Sequence, residues 1–262
     1  MQYRDEPGLT PGADHMRVVA WNIRAGGGVR AGAIGRQIAR WAPDVVVLSE
    51  FRATPPSREL AGALAARGWP HQLTTADPRT PGINALLVAA RWPLRRIRLP
   101  SAPVERHRWL VAGVEAPLPL VVGAMHVPNR ATGRKDPFLD AVLACARGWR
   151  RGPALLVGDT NSGRRGLDEE VPVFSVREEG WIDDLGGCGW RDAFRHLRAE
   201  ERMYTWYSQN GANGFRIDQA FVNAPLLARL KEAAHVWGGP RRRTRRDALS
   251  DHAALLIDLT EA

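Results

Sequence analysis

Acids, amides and histidines in this 262-residue chain recur at one kind of place, the end of a short apolar run. Asn22 closes RVVAWN (17–22), Glu50 closes DVVVLSE (44–50) and His126 stands near the end of LPLVVGAMHV (118–127). Asp159, followed by Asn161, closes PALLVGD (153–159). Asp218 lies inside FRIDQAFVN (215–223), and Asp251 and His252 directly precede AALLIDL (253–259). Taken singly, each is explained as a turn former or an ordinary surface or core residue. Taken together, strand ends that converge would gather them into one site. Carboxylates and amides are hard oxygen donors suited to Mg²⁺ or Mn²⁺. Such an ion neutralises phosphate charge, and an adjacent Asp can orient or deprotonate a water for in-line attack. A His held by a second Asp can stabilise the phosphorane oxygens or protonate the leaving group. The chemistry open to this set is hydrolysis of a phosphodiester or phosphomonoester.

Those residues need a scaffold, and the chain is long enough to supply one. At 44% hydrophobic and 25% charged it can bury one sizeable core. Residues 1–15, rich in Pro, Gly and charge, read as an N-terminal arm, and 16–262 as a single catalytic domain without linker, repeat or low-complexity tract. Besides the runs above, strands are expected at 83–90 and 109–115. Helices are expected at about 30–41, at about 57–67 behind Ser57 as N-cap, and at about 136–149 behind Asp136-Pro137. Strands alternating with helices give an α/β architecture of two packed sheets with helices outside. No run approaches the roughly 18 apolar residues of a membrane span, and the start lacks the apolar stretch of a signal peptide. Cys145 and Cys188 match no metal or redox spacing. A cytoplasmic protein with two reduced thiols, no membrane contact and no zinc is expected.

Charge narrows the partner. Lys and Arg number 37 against 28 acids, a net charge of +9, and lysine stands only at 135 and 231. Arginine forks onto phosphate, so a nucleic acid suits the surplus, although an arginine-favouring genome would produce the same composition. Position is more telling than number. Arg24 and Arg30 flank a Gly-rich loop (26–28); Arg130, Arg134 and Lys135 follow His126; Arg164 and Arg165 follow GDTNS; and RRRTRR (241–246), with Arg242, Arg243 and Arg245, precedes SDH. Each group leaves a presumed catalytic strand, where a polyanion would lie. Trp206 is placed either to stack on a base or leaving group or to pack beneath the site.

The ordered strings WNI (21–23), PDVVVLSE (43–50), MHVPN (125–129), GDTNS (158–162), FRID (215–218) and SDH (250–252) resemble the endonuclease/exonuclease/phosphatase superfamily of metal-dependent phosphoesterases. The likeness covers nearly all of the chain after Arg17. It implies a four-layer α/β sandwich, two packed mixed sheets flanked by helices, with the site at one edge. It implies Glu50 as principal Mg²⁺ ligand, with Asn22 and Asp251 at or beside the metal. Asp159 would activate water, Asn161 would orient water and phosphate, and Asp218 would fix His252 against a phosphate oxygen. His126 matches a position where pancreatic-type deoxyribonucleases and sphingomyelinases carry His and exonuclease III-type abasic-site endonucleases carry Tyr. GDTN with YTWYS (204–208) and FRIDQAF is similar to tyrosyl-DNA phosphodiesterases, but SE stands here for their more usual QE. The expectation is a monomeric Mg²⁺- or Mn²⁺-dependent nuclease or DNA-end-processing repair enzyme. The alternative is a small-molecule or lipid phosphoesterase of the inositol phosphate or sphingomyelin type. That reading needs a closed pocket or an apolar loop; Trp181 and Trp190 in GWIDDLGGCGW are the residues that could form one, and they read instead as core. A catalytically silent nucleic-acid-binding module is the third reading, and the complete residue set argues against it.

Overall fold

The computed structural model describes residues 15–209, 211, 213–239, 245 and 248–260. One six-stranded sheet orders its strands β13 (Leu230–Val236), β14 (Ala254–Thr260), β1 (His15–Asn22), β2 (Val45–Phe51), β4 (Ala85–Ala90) and β3 (His71–Thr74). The second orders β5 (Leu94–Ile97), β6 (Trp109–Val114), β7 (Leu120–His126), β8 (Ala154–Asp159), β12 (Asp218–Asn223) and β9 (Trp190–Asp192). A short ribbon pairs β10 (Trp206–Tyr207) with β11 (Gly214–Phe215).

Both large sheets are antiparallel except at the middle, where β1 runs parallel to β2 and β7 parallel to β8. A parallel pair needs a long crossover, and helices supply it: α1 (Ala31–Trp41) between β1 and β2, α3 (Lys135–Arg147) between β7 and β8. Strands covered on both faces lose the alternating pattern, which is why β2 and β8 read as nearly continuous apolar runs. Val18, Val47 and Val88 of the first sheet meet Ala112, Val122 and Val157 of the second in a shared core. On the outer faces, α1 and α2 (Pro55–Ala66) cover the first sheet, and α3 and α4 (Val176–Gly187) the second. The result is the expected four-layer sandwich. Two short helices, α5 (Ala193–Leu197) and α6 (Ala224–Leu227), fill the connections around β12.

This topology explains why the polar strand ends converge. The parallel pairs bring the C-terminal ends of β1, β2, β7 and β8 to one edge. The antiparallel neighbours β14 and β12 bring their starts there too: Asp218 pairs with Asp159, and His126 with Asp159.

Several local expectations need correction. Helix α2 begins at Pro55 behind Thr54, because proline suits the first turn. Ser57 sits inside the helix, and its hydroxyl donates to the Gly26 carbonyl at 2.9 Å. FRIDQAFVN is two strands broken at Arg216–Ile217, where the Ile217 amide and carbonyl bond to Thr205 Oγ1 and the Thr160 amide instead of continuing the ladder. Strand β1 starts at His15, inside the segment expected to be an arm. Trp181 and Trp190, by contrast, are fully buried in the core beneath α3, as expected of core residues, and form no apolar hairpin. Both cysteines are free thiols. Among the described residues no helix is long and apolar enough to cross a membrane.

Candidate active site

Asp159 is the centre of the edge. It ends β8, 3% exposed, between His126 on β7 and Asp218 on β12. Its Oδ2 accepts from Asn22 Nδ2 at 3.0 Å and lies 3.6 Å from His126 Nε2 and 4.0 Å from His252 Nε2; its Oδ1 accepts from the Asn161 amide at 3.0 Å. His252 Nδ1 and Asp218 Oδ2 are 2.9 Å apart. One atom each from Asp159, Asp218 and His252 lie within 4.8 Å of one another.

Each of these side chains is aimed by its backbone. His252 is fixed by Trp21 Nε1, which donates to its carbonyl at 2.9 Å, and by Ser250 Oγ, which accepts its amide at 3.3 Å and donates to the Asn22 carbonyl at 2.6 Å. Glu50 sits at a register shift at the end of β2 with φ of 57°. A bulge of this kind re-aims a side chain. The carboxylate turns to accept the Ala25 amide at 2.7 Å, and the Glu50 carbonyl accepts the Gly26 amide at 2.7 Å. The loop that wraps it keeps positive φ from Arg24 through Gly28. At Gly26 a Cβ would stand 2.6 Å from Ser57 Oγ, so glycine is required there for space as well as for φ.

Asn161 also takes a left-handed conformation, φ 45°, and all but one of its polar groups are tied. Its amide reaches Asp159, its Nδ2 donates to the Val127 carbonyl at 2.8 Å, and its carbonyl accepts from Lys135 Nζ. Oδ1 has no hydrogen-bond partner among the described residues. Lys135, expected among the substrate-facing cations, is instead buried behind this loop and paired with Glu178, because the start of α3 turns it inward.

Electrostatics separates the three central groups. Burial raises the Asp159 carboxyl, Asp218 adds to that, and His252 and two hydrogen bonds only partly offset it, leaving it at about 7. Burial disfavours the charged His252 ring, but the Asp218 carboxylate and its hydrogen bond, with Asp159 and Asp251, outweigh it and raise the ring to about 9. Burial, with Arg108 and His252, holds His126 well below the usual histidine range, so that ring is neutral. Its buried Nδ1 has no partner among the described residues.

The other expected residues are distributed as follows. Asp251 is exposed at the rim, 3.7 Å from Arg24 Nε. Trp206 is half-buried, its ring 6.3 Å from that of His252 and 5.8 Å from that of Phe215, so it walls the site and also packs on its floor. Arg30 ties the loop down through the Ile23 and Leu249 carbonyls. Arg130 pairs with Glu178, Arg164 with Asp183 at 2.8 Å, and Arg134 is exposed at the start of α3. Arg245 lies over the Tyr207 ring at 3.9 Å; Arg242 and Arg243 lie outside the described residues.

One cation that sequence reading passed over is Arg108. It donates to the His126 carbonyl at 3.3 Å; burial disfavours its charge, and the nearby Asp159 and Glu50 carboxylates only partly offset that. Its only signal was a position just before β6, and the strand partner that makes the position matter is invisible in sequence.

The profile of the Endonuclease/Exonuclease/phosphatase family matches residues 19–252. The chain belongs to that family. As a member it is a phosphoric ester hydrolase, and the match spans every residue of the edge just described. Solved structures share the family fold. A 3′ phosphatase from Neisseria bound to a product DNA hairpin is 23% identical, with a TM-score of 0.75 over 94% of this chain and 100% of that one. An AP endonuclease from Archaeoglobus fulgidus is 18% identical, with a TM-score of 0.77 over 94% and 100%. An AP endonuclease from Leishmania major is 16% identical, with a TM-score of 0.78 over 100% and 92%. No curated protein matches the sequence.

Proposed function

We propose that this family member is a divalent-metal-dependent phosphodiesterase acting on nucleic acid, with DNA as the preferred substrate. The observation that carries the reading is the buried Asp159–His252–Asp218 chain at an edge bordered by Arg24, Arg108 and Arg134. The donor set fits an ion. Asp159 is a buried acid with too little positive charge around it, and Glu50 and Asp251 add hard oxygens on the same side, while Asn22 turns its Nδ2 to Asp159 and Glu50 and its Oδ1 to the Arg24 amide. Mg²⁺ or Mn²⁺ held there would neutralise phosphate charge during in-line displacement.

The chain's own groups perform the rest. Asp159, with a pKa of about 7, is matched to accepting the proton of the attacking water at neutral pH. Asn161, tied at three of its four polar groups, presents Oδ1 to orient that water. His252, held protonated by Asp218, donates from Nε2 to a non-bridging phosphate oxygen as charge builds on it. Neutral His126 offers a hydrogen bond without adding charge, and Arg108 steadies the phosphate from the β6 side. The nucleic-acid context of the structural neighbours supports this substrate class. The lipid alternative is disfavoured because Trp181 and Trp190 are core residues.

Cleavage of labelled single-stranded, duplex, abasic, RNA and 5′-tyrosyl oligonucleotides with Mg²⁺ or Mn²⁺ tests the reading, with Glu50→Ala as control. Cutting by wild type alone is expected. Hydrolysis of bis-p-nitrophenyl phosphate with no oligonucleotide cut would contradict it in favour of a small substrate.

A further inference from the structure

A cavity of about 450 Å³ opens on the same edge, between the 75–84 segment and the 3₁₀ turn Arg106–Arg108. Its volume falls within the roughly 300–1,000 Å³ of small-ligand sites. It adjoins the catalytic groups on both sides. Ala85 in its wall pairs with Phe51, the residue after Glu50, and Arg52 Nε reaches Asn84 at 2.6 Å. His107 in the opposite wall is followed directly by Arg108, which leans on His126.

The lining is cationic. Arg106 is exposed and has no acidic partner among the described residues, and Arg96 gives one of its five N–H donors to the Thr74 carbonyl at 2.7 Å. Asp77, the one acid in the wall, is already answered by Arg79, which forks onto it at 2.7–3.1 Å. The walls are pinned together as well: Thr75 Oγ1 accepts the Leu86 amide at 2.9 Å and donates to the His107 carbonyl at 2.8 Å. A pre-formed, positively lined hollow therefore sits beside a phosphate-hydrolysing centre, and one turn of chain carries cations to both.

We propose that this cavity is a second phosphate subsite, in which Arg96 and Arg106 grip the phosphate of the nucleotide next to the scissile bond. The inference rests on the nucleic-acid reading above and extends it: the enzyme measures more than one phosphate of its strand.

The test is a double-mutant cycle read by binding rather than by turnover. An oligonucleotide carrying a fluorophore is prepared with a neutral methylphosphonate at one phosphate at a time. Each is titrated by anisotropy against Asp159→Asn protein with and without Arg106→Gln. With the unmodified strand, Arg106→Gln should weaken binding roughly tenfold and lower the salt slope by about 0.7 to 0.9. At one phosphate beside the scissile position, neutralising the DNA and the arginine together should cost no more than either alone. Additive losses at every phosphate, with binding otherwise intact, would overturn the subsite and leave the nucleic-acid reading standing. Absence of binding to any oligonucleotide at low salt would overturn both.

Discussion

Two buried ionic clusters meet at residues 216–218, and the chain resolves them in opposite ways. On one side the fully buried Arg216 forks onto Asp168 and Asp192, and Arg195 adds a second cation to Asp168. On the other, Asp218 and Asp159 share the single ring of His252. Burial raises the carboxyl in both places. At Asp168 the two arginines outweigh it and the group ends below its ordinary value, whereas at Asp159 nothing does and it ends at about 7. The balanced cluster clamps the 163–170 loop to β9 and β12. The unbalanced one keeps an acid poised near neutrality, which is what a general base requires.

The contrast can be broken from either side. Replacing His252 by Ala should lower kcat about 10²–10⁴-fold with the far-ultraviolet circular dichroism unchanged; a variant that turns over normally would remove His252 from the site. Arg216→Met should instead cost stability, about 3–5 kcal/mol in urea unfolding, because Asp168 and Asp192 are left buried without their shared cation. Lys135→Gln stands between the two. Losing its grip on the Asn161 carbonyl should reduce kcat roughly 10²-fold with KM nearly constant, and Lys135→Arg should recover part of that. An equal loss of activity and folded fraction would make Lys135 merely structural.

The smallest effect concerns His235, buried at the join of the two clusters with Nε2 2.9 Å from the Asp218 carbonyl. Burial, then Arg216, lowers its ring to about 4, so the folded protein keeps it neutral while the unfolded chain protonates near 6.5. The unfolded state therefore binds the extra proton first as pH falls. Stability that is complete above pH 6.5 should decline toward pH 4, and His235→Asn should flatten that part of the urea-midpoint profile.

The central strands and the acid set were legible because both follow from one physical pattern. Strands buried on two faces must be apolar nearly throughout, so Asn22, His126 and Asp159 stand out as the first polar residues, and Glu50 as the first charged one, where each strand reaches the edge. Edge strands lack that contrast: HQLT, LRRI and WRD of β3, β5 and β9 carry no apolar run. Helix α4 was hidden because VREEGWIDDLGG interrupts its apolar face with glycine and acid, although Ser175 and Glu178 form a full capping box. The arginines were the least legible. Sequence position places Arg24, Arg130 and Arg164 alike, and only the fold reveals that Arg130 and Arg164 answer acids while Arg108 leans into the site.

The most direct test is to compare Asp159→Asn with wild type for Mg²⁺-dependent cleavage of a labelled oligonucleotide. Loss of cutting by about 10³-fold or more in a variant with undiminished urea stability is the predicted result, since the substitution removes the group proposed to accept the proton and relieves a buried, uncompensated acid. Cleavage within a few-fold of wild type would contradict the assignment of this edge as the hydrolytic centre.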